Sequence, residues 1–350
     1  MNKILTTILI TLSIQACTCK QEEKVIFEKP DVDKRTELLS IVFRLAEKPE
    51  YSTNEFKLYT DRIDSYFEKH KNHELIQFTK SIISKSDVGY DAVMAMAIHL
   101  DNNLKLLTDV KDNWRDTRWN KEGVEKFVPL LQKFNKDVEF DKFFKNNADL
   151  YSEAVKRFAS VYESLDLNWY FAFYGQDPAE SFSVKIVPGN GSNNYGPHLE
   201  YANGHKKGHS ILSIWRIDNA GMPVFRADEY FLMLLHEFNH PFVNHLTEMH
   251  KDAFRESGEK LFSVVEEEML NQSYSSWEVM MTEALIRAAM VKYMRDHNFE
   301  QSEIENEINL QKTKGFIWVE ELADELENYD KQRDKYPTLE SYMPRLVEAY

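Results

Sequence analysis

Cysteine is nearly missing from this chain of 350 residues: there are two, Cys17 and Cys19, both close to the start. No disulfide framework and no thiolate-ligated metal can form in the body of the protein, so its stability must come from a core. Long hydrophobic runs are missing too. The apolar stretch near the N-terminus, Ile4 to Ile14, is too short to cross a bilayer. Basic residues are in deficit, 43 against 58 acidic ones, for a net charge of -15 and a pI near 5.3. That balance argues against a nucleic-acid or anionic-membrane surface. Internal repeats and low-complexity runs are absent as well. What remains is a globular composition, 43% hydrophobic and 13% aromatic, in a chain long enough to bury a sizeable core.

The first residues read as a processing segment. Lys3 supplies the positive end, the apolar run follows, and Ser13-Ile14-Gln15-Ala16-Cys17 resembles a bacterial lipobox, with Gln15 departing from the usual small residue. Residues 1–16 are then a lipoprotein signal peptide, Cys17 the lipidated residue, and 17–25 a polar tether. This places the protein in the bacterial cell envelope, at the outer membrane or cell surface, touching the membrane only through its lipid anchor.

Beyond the tether, residues 26–164 form a helical N-terminal lobe, with Leu38, Leu39, Val42, Phe43 and Leu45 and then Phe56, Tyr59, Ile63, Tyr66 and Phe67 at helical spacing. Residues 165–226 change texture. Trp169 to Phe173, Phe182 to Val187 and Ile211 to Ile217 are rich in aromatic and β-branched residues and bounded by glycine and proline, which predicts a small, mostly antiparallel sheet. Residues 227–350 return to helical periodicity. The fold class expected is α+β, predominantly helical, with the sheet just before the helix that carries the chemistry.

That helix is FLMLLHEFNHPFVNHLTE, Phe231 to Glu248, in which His236, Glu237 and His240 spell HExxH. The i, i+4 spacing puts both imidazoles on one face, where they can share Zn2+, and Glu237 points about 100° away, able to reach a water on that ion. In so apolar a helix two imidazoles and a carboxylate need partners, and a metal with its water supplies them. The competing reading is two satisfied core histidines and a solvated glutamate. Pro241 removes the backbone bond to the Glu237 carbonyl and should kink the helix, and Asn244, four residues after His240, could support the ligand or a freed carbonyl.

A catalytic zinc needs a third protein ligand and an open position. Val243 and Leu246 stand where a metzincin would have its glycine and third histidine, which excludes that arrangement. Glu256, Glu259, Glu266, Glu267 and Glu268 look like a solvated face, and Ser275 to Glu278 reads as a capping box. Glu283 is the only acid between Val279 and Val291, with Arg287 four residues on to hold it. A plain Glu283–Arg287 pair at the edge of a core is the alternative, and His245 and His250 are the competing ligands. Tyr195, His198, Tyr201, His205 and His209 gather near the predicted sheet, and any of them could stabilise an oxyanion.

HEFNHPFVN followed some forty residues later by TEALIRA resembles the gluzincin class of zinc peptidases, a zincin fold in which two histidines and a downstream glutamate bind zinc. With ELLSIVFRLAEKPEY and KYPTLESYMPRL, the chain more closely resembles an uncharacterised bacterial family of extracytoplasmic proteins, domain of unknown function 4932. The resemblance implies His236, His240 and Glu283 as metal ligands and Glu237 as the base, with Arg287, Asn244 and Tyr195 as supporting or substrate residues. The expected function is an extracytoplasmic zinc metallopeptidase acting on a peptide or protein, with no nucleic-acid partner and no obligate oligomer. The alternative is a non-catalytic surface lipoprotein that binds peptide or glycan in such a cleft. A purely structural zinc would instead need four protein ligands.

Overall fold

The computed structural model describes residues 27–111 and 118–349; the signal segment 1–16, Cys17 and the tether 17–25 lie outside the described residues. In chain order come β1 (Phe27–Asp31), α1 (Lys34–Leu45), α2 (Lys57–Phe67), α3 (Glu74–Ser86), α4 (Asp91–Ile98), α5 (Lys121–Asp137), α6 (Phe140–Asn146), α7 (Ala148–Tyr162) and α8 (Leu167–Tyr174). Then follow β2 (Glu180–Ile186), β3 (His198–Glu200) and β4 (Lys206–Leu212). The C-terminal part is α9 (Ala227–Met249), α10 (Lys251–Asn271), α11 (Trp277–Asp296), α12 (Gln301–Thr313), α13 (Val319–Asp330) and α14 (Leu339–Ala349). The protein is thus predominantly helical with one small sheet. No helix among the described residues is long and apolar enough to cross a membrane.

The sheet is mixed, not mostly antiparallel as the sequence led one to expect. Its order is β1-β2-β4-β3, with β1, β2 and β4 parallel and only β3 antiparallel, paired to β4. The physical reason lies in the connections: β1 comes from far upstream, and the excursion between β2 and β4 carries the chain back before β4 begins. All seven residues of β2 are buried, the pattern of a parallel strand covered on both faces. On one face Phe182 meets Phe238 of α9, ring centroids 5.0 Å apart. On the other Ser183 bonds His209 at 2.8 Å and Lys185 pairs with Glu28.

A second expectation fails at Trp169 to Phe173, which are helical. Asp166 caps α8 by accepting from the N–H groups of Asn168 and Trp169, and Gly175, at φ +68°, ends it in the left-handed region. Inside the helix Trp169 stacks on Phe173 at 4.6 Å, an i, i+4 contact that a strand would forbid. The aromatic density that looked like a strand is instead the packing surface for α9, where Tyr174 stacks on Phe242 at 4.6 Å.

Helix α9 therefore lies in the middle of the core, against β2, α7, α8 and α11. Asn239, fully buried, is held by Tyr174 Oη at 2.6 Å and donates to the Leu235 carbonyl, so even its polar position is satisfied. Pro241 does not end the helix: its carbonyl accepts from Ala179 N–H at 3.0 Å, and Phe242 and Val243 beyond it are fully buried. Burying each of those side chains stabilises the turn by about 1.5–3 kcal/mol, comparable to the roughly 3 kcal/mol a mid-helix proline costs. Helix α11 packs beside it, with Thr247 Oγ1 2.7 Å from Thr282 Oγ1.

Candidate metal centre

One helical turn of α9 brings His236 and His240 together, with Nε2 to Nε2 at 3.2 Å. From α11, Glu283 places Oε2 3.5 Å from His236 Nε2 and Oε1 3.8 Å from His240 Nε2. The ligand atoms of His236, Glu237 and His240 lie within 4.8 Å of one another. Two bonds of about 2.0–2.1 Å at a tetrahedral angle would set nitrogens roughly 3.3 Å apart, so the spacing of the imidazoles fits a shared zinc.

Protonation fits as well. His240 Nδ1 lies 3.0 Å from Asn244 Oδ1, and Asn244 turns that oxygen toward it by donating Nδ2 to Glu180 Oε1 at 3.4 Å. An acceptor there requires the proton on Nδ1, which leaves the Nε2 lone pair facing His236 and Glu283. Burial drives the His236 imidazole down to a pKa of about 3, with His240 and Arg287 helping and Glu283 opposing, so it stays in the neutral, ligating form. Burial alone would raise Glu283, but His236, Arg287 and His240 outweigh it and hold its carboxyl below the ordinary range. Burial pushes the Glu237 carboxyl up, with Glu283 adding to it and His240 and Arg287 opposing.

Arg287 donates through Nη1 to Glu283 Oε2, its Nη2 reaches Tyr274 Oη at 3.1 Å, and Tyr274 in turn donates to Glu283 Oε2 at 3.1 Å. The guanidinium lies over the Phe316 ring at 4.2 Å and donates Nε to Gln311 Oε1 at 2.8 Å. Glu283 is thus oriented by a buried fork and a phenol together.

A cleft of about 330 Å³ opens from His240 and Glu283 and is bounded by His198, Asn244, Thr247, Phe254, Trp277 and Met281. Above it runs the loop between β2 and β3, where a Cβ on Gly196 would stand 4.0 Å from Glu237 Oε2. Strand β3 is the sheet edge on this side. Pro197 O and Tyr201 N–H bond β4, so the alternate residue His198 turns its N–H and C=O outward. The far end of that edge is taken, since Glu200 O accepts from Lys111 N–H at 2.8 Å.

Other residues singled out from sequence lie elsewhere. Tyr195 stacks on Tyr51 at 6.2 Å and is not among the residues lining the cleft. His205 bonds Ser181 and His209 bonds Ser183, leaving His198 as the histidine of that group beside the cleft. His245 meets Gln176, and His250 caps the end of α9. The cap of α11 is Ser276, accepting from Val279 N–H at 3.4 Å, in place of the box expected from Ser275; Glu278 lines the outer cleft. Sequence reasoning missed Tyr274, which has no periodic relation to Glu283. It also missed Gln311, which did leave a signal: Ile304, Glu307, Ile308 and Gln311 form a buried stripe on α12 with polar residues where apolar ones are usual.

Compared with known proteins, the chain matches one family, described as Domain of unknown function (DUF4932), over residues 30–349. No curated protein and no solved structure matches it.

Proposed function

This chain belongs to the DUF4932 family, and we propose that it is an extracytoplasmic zinc metallopeptidase of gluzincin type, hydrolysing peptide bonds with Glu237 as general base. The observation that carries the reading is the meeting of His236, His240 and Glu283, from two helices, with nitrogens 3.2 Å apart and the carboxylate at 3.5 and 3.8 Å. Two imidazoles and one carboxylate suit zinc best among the common ions. Zinc held there would acidify a water and polarise the scissile carbonyl.

The chain's own residues do the rest. Glu237, its pKa raised by burial, takes the proton from the attacking water and passes it to the leaving amine. Arg287 and Tyr274 keep Glu283 anionic and aimed. The outward N–H and C=O of His198 on the edge strand give an extended peptide a main-chain partner beside the cleft. Cleavage before Cys17 would tether the body to the envelope by a lipid.

The test is a peptide mixture incubated with the zinc-loaded chain and read for new termini by mass spectrometry. Wild type is expected to cut, and Glu237→Gln to cut a hundredfold or more slower with its zinc retained. A zinc-loaded wild type that binds peptides or glycans but cuts nothing would replace this reading with that of a surface binding lipoprotein.

A further inference from the structure

The fork that holds Glu283 does not end at Arg287. Arg287 Nε donates to Gln311 Oε1 at 2.8 Å, and Gln311 Nε2 donates to Glu307 Oε1 at 2.6 Å. All four side chains are buried, Glu307 at 5% exposure, and Glu307 opens onto a second cavity of about 770 Å³ between the first turns of α9, the last turns of α11, and α12.

Two pairs of stacked rings wall this cavity, Phe231 with Phe299 at 5.9 Å and Tyr293 with His297 at 3.9 Å. Its charged lining is acidic, Asp228, Glu303 and Glu307, with no lysine or arginine among the described lining residues. Asp228 is already paired with Arg226, and Glu303 accepts from the Glu300 N–H to cap α12. Glu307 differs: one oxygen accepts from Gln311 and the other has no hydrogen-bond partner among the described residues. Lys314 feels its charge without forming an ion pair. Glu307 lines the cavity with that oxygen uncommitted, so a cation entering the cavity finds a charged acceptor there.

We propose that this cavity is a second ligand site, for a small amphiphile with a primary ammonium on an aromatic or branched apolar body. The ammonium bonds Glu307 and the body lies among the stacked rings. Because Glu307 is joined to Glu283 through Gln311 and Arg287, occupancy and zinc affinity are linked. The linkage rests on Glu283 being a zinc ligand; the binding itself does not.

Calorimetric titration of the purified chain with 3-phenylpropylammonium, 3-phenylpropanol and 3-phenylpropanoate tests this. The ammonium should bind about tenfold or more tighter than the alcohol, with the carboxylate weakest. Glu307→Gln should bring the ammonium down to the alcohol. Leu310→Arg, at a half-exposed position on the rim, should weaken the ammonium while the fold is kept, as checked by circular dichroism. Saturating ammonium should shift zinc affinity in wild type and not in Glu307→Gln. Equal binding of ammonium and alcohol, no binding by folded wild type, or an ammonium affinity untouched by Glu307→Gln would overturn the site. Ammonium preference without a zinc shift would overturn the linkage alone, and a chain that takes up no zinc yet prefers the ammonium would overturn the metal reading and keep the site.

Discussion

Two glutamates lie inside this protein at similar depth, Glu37 of α1 at 0% exposure and Glu283 of α11 at 7%, in surroundings of opposite character. Glu37 accepts from Tyr59 Oη at 2.6 Å and from Gly189 N–H at 3.2 Å, with no cation in contact among the described residues, and burial pushes its pKa up to about 7. Burial works the same way on Glu283, yet the Arg287 guanidinium in contact with it, with His236 and His240 nearby, holds its carboxyl below the ordinary range. Depth alone would make both structural acids. Glu283 has a guanidinium in contact, and a carboxylate that has given up its proton is the form a metal would need.

The sharpest way to break this contrast is to remove each carboxylate in turn and measure zinc affinity by chelator competition. Glu283→Ala should lose more than the 10–100-fold typical of an orienting residue, while Glu37→Gln should leave affinity unchanged. Equal losses would erase the distinction.

The next effect belongs to Glu37 and is one of pH. Its folded pKa of about 7 exceeds the ordinary 4.5, so across that window the folded protein keeps a proton that the unfolded chain has released. Stability should therefore fall as pH rises from 4.5 to about 7, by up to roughly 3 kcal/mol, and level off on either side. Urea unfolding through that range should show a shallower fall in Glu37→Gln; parallel curves would contradict it.

Smaller effects test what surrounds Glu283. Arg287→Met and Asn244→Ala should each weaken zinc binding about 10–100-fold, because one frees the carboxylate and the other the His240 tautomer. Ser276→Ala, at the cap of the same helix, should cost about 1 kcal/mol in unfolding and leave zinc affinity alone. A cap mutation that lowered zinc affinity as much as Arg287→Met would mean the site responds only to the stability of α11.

How much of this was legible in sequence depended on whether the signal was local. His236 and His240 needed only the helical period, and Glu283 with Arg287 stood out as charges in an apolar stretch. The helices between Lys34 and Tyr162 followed from spacing in the same way. The parallel pairing of β1 with β2 could not be read, because it joins Phe27 to Phe182 across those helices. At Trp169 to Phe173 aromatic density favours a strand, and the Asp166 cap and Gly175 stop decide for helix. Glu307 and Gln311 leave their polar stripe on α12, but the contacts of Gln311 with Arg287 and of Tyr274 with Glu283 are made by packing between separate segments and leave no motif.

If α9 and α11 together build a three-ligand zinc site, the purified chain should carry the metal. The most direct test is metal content by plasma mass spectrometry on the purified chain, in wild type, Glu283→Ala and Glu278→Ala. The account predicts about one zinc per chain in wild type and Glu278→Ala and its loss in Glu283→Ala. A folded wild type that retains no zinc after exposure to it would contradict the account.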